Sequence, residues 1–224
     1  MITYATRTWP GRLHPENQDR LATDSDHGTF IVADGIGGLA DAAATAQAVV
    51  DEFPARVHAR LTRLTGMDVT VQVTAVAAEL NARVRRTARR GPGTTGAATA
   101  LLIIRGDRAL TVHLGDSRIY LARDSRLVRL TADHSHDGQL TRYVGMSGPV
   151  TPGVSGHDLR PGDRLLVCTD GLTSRVDDTV LAALLRSADD VTEASGRLLE
   201  AAVAGGAIDD ISLIAVDYGR EDAR

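Results

Sequence analysis

The stretch Phe30-Ile31-Val32-Ala33-Asp34-Gly35-Ile36-Gly37-Gly38 runs four apolar residues into a carboxylate and then into a glycine-rich turn. A continuous apolar run bounded by a turn signal reads as a strand buried on both faces. Asp34 therefore stands where the backbone leaves a packed sheet and reaches the surface. A carboxylate there is costly unless something positive faces it, while the glycines permit close approach and positive φ. Two readings stay open on this stretch alone. Asp34 caps the helix that follows, or it belongs to a set of strand-end acids that share a cation.

Working outward, residues 2–8 alternate apolar and polar as a half-buried strand does, and Trp9-Pro10-Gly11 breaks them. Strands near 19–24 and 28–34 flank a hairpin turn at Asp26-His27-Gly28. Apolar spacing predicts a helix over 40–50, kinked or restarted at Pro54, and a long amphipathic helix over 67–90 ended by Gly91-Pro92-Gly93. Strands follow at Gly96–Ile104, Ala109–Leu114 and Ser117–Ala122, joined by turns at Gly106-Asp107 and Gly115-Asp116, with a short strand at 127–130. Residues 132–162 show no sustained period and read as irregular surface chain. A buried strand at Arg164–Thr169 ends at Asp170-Gly171, helices follow near 178–186 and 190–204, and a last strand spans 211–217. Without βαβ alternation, helices should segregate onto the faces of largely antiparallel sheets.

The length suits one domain over residues 1–224, with a frayed charged tail at 219–224. A net charge of -4 argues against non-specific nucleic-acid binding. The basic residues are all Arg, and the stretch from Arg83 to Arg90 reads as a solvated helix face. The single cysteine, Cys168, lies in an apolar run and reads as a small buried hydrophobe in a reducing compartment. No signal peptide or membrane-length apolar run is visible, so the expected location is cytoplasmic, with no membrane partner. His27, His58 and His157 read as turn or surface histidines.

The acids then ask to be collected. Asp34, Asp116 and Asp170 follow apolar runs, Asp209 precedes one, and Asp19 enters an early strand. One such acid is a cap; several at one sheet edge repel one another unless a cation intervenes. Carboxylates, carbonyls and water suit hard ions such as Mg²⁺ or Mn²⁺, and no zinc-type Cys or His pairing competes. Without Lys a P-loop is impossible, and Ser117 has no nucleophile elbow.

The segments ENQD (16–19), VADGIGG (32–38), GTT (93–95), HLGDSRIYL (113–121), LTADHS (130–135), GDRLLVCTDGL (162–172) and DDIS (209–212) together resemble the metal-dependent serine/threonine protein phosphatases, type 2C, in their bacterial form. That resemblance implies an α+β fold, a four-layer α-β-β-α sandwich with two antiparallel sheets flanked by helix pairs. It implies an Mg²⁺- or Mn²⁺-dependent hydrolase that attacks phosphoserine and phosphothreonine with a water bridging two ions, opposite a Ser/Thr kinase. Residue by residue, Asp34 resembles the bridging carboxylate and Gly35 the carbonyl donor. Asp170 and Asp209 resemble ligands of the second ion, Asp19 the acid holding water, and Asp116 the ligand of a labile third ion. The sequence departs from the family at three places. His14 stands where an Arg usually binds phosphate, so His14 or the nearby Arg12 is the candidate phosphate binder. Asp210 replaces Asn and adds negative charge beside the ions. Only Ser135–Gln139 occupies the place of the flap. His14 and the shortened flap motivate a second reading, a catalytically weak phosphoprotein-binding or regulatory module.

Overall fold

The structure, a computed structural model, describes residues 1–36, 41–64, 66, 68–87 and 95–219. The expected helix stop at Gly91-Pro92-Gly93, together with Arg89, Arg90, Gly37, Gly38, the Gly93-Thr94 half of GTT and the tail from 220, lies outside these residues. Strands β1 (Ile2–Trp9), β2 (Asp19–Asp24) and β3 (Thr29–Gly35) precede helices α1 (Ala42–Arg60) and α2 (Asp68–Thr87). Then come β4 (Ala97–Arg105), β5 (Arg108–Leu114), β6 (Arg118–Arg123), β7 (Arg126–Arg129), β8 (Ser135–His136), β9 (Gln139–Leu140), β10 (Gly153–Asp158) and β11 (Asp163–Cys168). The chain closes with α3 (Asp170–Thr173), α4 (Asp178–Ser187), α5 (Val191–Ala204) and β12 (Ile211–Tyr218).

One sheet runs β1-β12-β11-β6-β7 and the other β10-β5-β4-β3-β2, every pairing antiparallel. Side chains alternate across each strand, so the two-residue period sorts the apolar runs into layers. Phe30, Val32, Ala100, Leu102, Leu165, Val167, Ile214 and Val216 meet between the sheets. Their neighbours Ile31, Ala33, Leu101 and Ile103 pack outward on α1 and α2, through Val49, Phe53, Val73 and Leu80. On the opposite side Leu166, Cys168 and Leu213 pack on Leu181, Leu185 and Leu198 of α4 and α5. This is the expected α-β-β-α sandwich. Truncating one of these buried leucines to Ala costs about 2–5 kcal/mol. A buried ion pair adds a polar tie: Arg164 holds Asp217 through two nitrogens at 2.6 and 2.8 Å and donates to Leu185 O and Ala188 O.

Three local expectations need correction. Helix α1 does not restart at Pro54 but continues through it to Arg60, with Val49, Phe53 and Val57 holding both halves against the same core. Gly115-Asp116 is not a hairpin turn: β5 and β6 belong to different sheets, and the chain crosses between them there. Gly115 makes that crossing with φ +99 beside Ala98, where a Cβ would lie 2.4 Å away. The stretch 132–162 is not wholly irregular. It contains β10, an edge strand on β5, and the hairpin β8–β9, whose turn residues Asp137 and Gly138 both have positive φ.

Candidate active site

Strand direction alone brings the acids together. In antiparallel sheets alternate strands end at the same edge. β3, β5 and β11 end where β2, β4 and β12 begin, with Asp19 opposite Asp34 and Cys168 opposite Leu213. Asp34, Asp116 and Asp170 therefore leave their strands, and Asp19 and Asp209 approach theirs, at one edge of the sandwich. A cavity of about 190 Å³ opens there, lined by His14, Gln18, Asp34, Gly35, Ile36, Ala98, Asp116, Leu140, Asp170, Asp209 and Asp210. A larger one, about 450 Å³, lies at the opposite end of the β2–β3 hairpin against α1. Its lining mixes Ala22, Ile31, Val50, Pro54 and Ala55 with Thr23, Asp24, His27, Thr29, Asp51 and His58, and Asp24 is already paired with His27 at 2.8 Å; the converging acids lie at the smaller cavity.

Thr169 joins the sheets at this edge. Its hydroxyl donates to Asp19 Oδ2 at 2.8 Å and accepts from Ser212 N at 2.9 Å, all three residues being buried. Gly35 is needed for close approach rather than for an unusual φ: a Cβ would lie 2.5 Å from Ala42 O. Its N–H donates to Gln18 O at 3.2 Å, tying β3 to the segment before β2.

The electrostatics are those of crowded, desolvated acids. Burial raises the Asp34 carboxyl well above the usual range, helped by the charges of Asp19, Asp170 and Asp209 and by a hydrogen bond shared with Asp170. Asp19 is pushed up to about 7, mainly by burial, against the opposing hydrogen bonds of Thr169 and Ser212. Asp116 is pushed up to about 6 by burial and then by Asp170. Asp209 is raised by burial and Asp170, while His14 opposes the rise.

The donor set fits a hard cation. Asp19 Oδ1, Asp170 Oδ1 and Gln18 Oε1 are buried without a hydrogen-bond partner among the described residues. All are oxygens, the ligands that Mg²⁺ and Mn²⁺ prefer. Among the described residues no group of three His, Cys, Asp or Glu side chains is already arranged to hold an ion.

Of the residues singled out from sequence, Asp34, Gly35, Asp116, Asp170, Asp209 and His14 line the cavity, and Asp19 lies buried beside Asp34. Arg12 does not join them. It is exposed and outside the lining, which leaves His14 as the basic side chain on the wall among the described residues. Asp210 adds the expected negative charge, which helps raise Asp19 and Asp209. Its oxygens also accept from Gly11 N and Gln18 N, each at 2.7 Å. Two contributors carry weak signals in the sequence. Gln18 is one polar residue of the segment ENQD, and Thr169 ends an apolar strand, where a hydroxyl amid buried residues is the available signal. Leu140, on the β8–β9 hairpin, supplies an apolar wall from the shortened segment.

Residues 14–206 match the family model described as Protein phosphatase 2C. The chain is 29% identical to the serine/threonine protein phosphatase PstP of Mycobacterium tuberculosis over 97% of this chain and 45% of that protein. It thus spans about half the length of that curated relative. Among solved structures it is similar to PppA, a regulatory component of T6SS in Pseudomonas aeruginosa, with TM-score 0.84 and 28% identity, covering 96% of this chain and 97% of that one. It is also similar to the PstP catalytic domain in complex with two manganese ions, with TM-score 0.77 and 27% identity, covering 96% and 97%. No described helix is long and apolar enough to cross a membrane. The chain belongs to the protein phosphatase 2C family.

Proposed function

We propose that this chain is a divalent-cation-dependent phosphatase of phosphoserine and phosphothreonine in proteins, acting opposite a Ser/Thr kinase. The observation that carries the reading is the convergence of Asp34, Asp116, Asp170 and Asp209 on one cavity, with unpartnered oxygens on Asp19 and Asp170. In this reading Asp34, Gly35, Asp170, Asp209 and Asp19 hold two Mg²⁺ or Mn²⁺ ions, and Asp116 is available to a third. When bound, such ions supply Lewis-acid charge for the phosphoryl oxygens and a more acidic water.

The chain's own residues divide the remaining work. His14, on the wall beside Asp209, donates to the substrate phosphate in the place where the family usually has an Arg. Thr169 keeps Asp19 in place beneath the cavity floor. In this reading, as the family resemblance implies, water is the nucleophile. Cys168 is unsuited to that role, being fully buried with its thiol pushed up by burial. The short β8–β9 hairpin leaves the cavity open to a protein substrate, with Leu140 at its edge.

The test is phosphate release from a phosphothreonine peptide by wild type and Asp34→Ala, with Mn²⁺ and with chelator. Cation-dependent release by wild type alone supports the reading. Peptide binding without release in wild type would instead favour a regulatory module.

A further inference from the structure

The segment Gly11–Gln18 has no helical or strand hydrogen-bond ladder of its own, yet it carries His14 to the cavity wall. One carboxylate holds both of its feet. Asp210, 5% exposed, accepts from Gly11 N through Oδ1 and from Gln18 N through Oδ2, each at 2.7 Å. Arg12 N and Leu13 N donate to Ile208 O at 2.6 and 3.2 Å, stitching the rising limb of the loop to the segment that leads into Asp209. Gly11 lies so close to that segment that a Cβ would sit 2.4 Å from the Asp209 carbonyl carbon. The far foot continues into the site, since Gln18 O receives the Gly35 N–H.

The chemistry of this clamp requires an acid. A carboxylate offers two acceptor oxygens, whereas the amide of Asn offers one and would aim its own N–H₂ at a backbone N–H. A buried carboxylate is tolerated where backbone N–H groups stabilise its charge.

We propose that Asp210 is a positioning residue for phosphate binding: by closing the loop Gly11–Gln18 at both feet, its carboxylate holds His14 against the cavity. The proposal rests on the phosphatase reading of that cavity. It also extends it, because it makes a residue outside the ion-holding set answerable for substrate affinity.

The experiment compares wild type, Asp210→Asn, His14→Ala and the double variant in the intact chain. Amide hydrogen exchange at Gly11 and Gln18 is followed in chelator, and KM and kcat are measured on a phosphothreonine peptide with Mn²⁺. Asp210→Asn should speed exchange at one of the two amides about tenfold or more, since one charge-assisted bond is lost. It should raise KM several-fold with a smaller change in kcat, and add little to KM once His14 is already Ala. Asp210→Ser, with a single short acceptor, serves the same comparison if the amide variant does not fold. Unchanged amide protection, or KM effects that multiply independently of His14, would overturn the proposal. A wild type with no turnover defeats the phosphatase reading instead, and the exchange data still decide whether the clamp exists.

Discussion

Removing divalent cations should invert the usual pH dependence of stability in this protein. Asp19 is 3% exposed and its carboxyl moves from 3.8 up to about 7, burial being the largest cause. The folded chain therefore holds a proton that the unfolded chain has released, and stability declines as pH rises through that window. The cost is absent below the unfolded value and complete above the folded one. From Asp19 alone it is on the order of 4 kcal/mol. Asp34 and Asp116 shift in the same direction, although mutually repelling acids do not add independently. Urea unfolding from about pH 4 to pH 8 in chelator, for wild type and Asp19→Asn, isolates the effect from other titrating groups. Wild type should lose several kcal/mol relative to the variant as pH rises. Mn²⁺ at about a hundred times its Kd should return about 2.7 kcal/mol to wild type at the alkaline end. A difference between the two proteins that is flat, or that widens in favour of wild type with rising pH, would refute the reasoning.

Other substitutions probe separate parts of the site. Asp170→Asn should abolish cation-dependent turnover while leaving the chelated protein as stable as wild type or more so, because it removes one of the crowded charges; thermal melts and a phosphate-release assay check both halves. Thr169→Val preserves shape but strips the hydroxyl from Asp19 and Ser212 N. It should cost about 2–5 kcal/mol by urea unfolding, since a bond to an acid is lost and a buried N–H is left unpaired. Arg12→Ala should leave KM for a phosphopeptide within about twofold, whereas His14→Ala should raise it roughly tenfold, the loss expected for one hydrogen bond to a charged group.

Much of this molecule was legible before any coordinates. Strands such as Phe30–Ala33 and Leu165–Cys168 are continuous apolar runs because helices cover one face and the partner sheet the other. Their carboxylate ends named the site, since an acid after such a run has few reasons to be there. Edge and crossing features were harder. The β10 sequence, Gly-Val-Ser-Gly-His-Asp, lies half in solvent and carries no apolar alternation, so only its pairing with β5 makes it a strand. Gly115-Asp116 has the local chemistry of a hairpin turn, and nothing within reach of a short window tells which sheet the next strand joins. Pro54 lacks a helical donor wherever it stands, yet packing of Phe53 and Val57 outweighs that loss. The role of Asp210 was invisible for a different reason. Its partners are backbone N–H groups nearly two hundred positions earlier, and an acid beside Asp209 looks the same on paper whether it faces an ion or an amide.

The central claim is that distant aspartates form one cation-binding nest. Calorimetric titration of Mn²⁺ into chelator-stripped protein tests it most directly, with Asp34→Asn as the comparison and circular dichroism to show that both are folded. The account predicts about two ions bound per wild-type chain and a severe loss of binding in the folded variant. Absence of Mn²⁺ binding to wild type, or equal binding by both proteins, would contradict it.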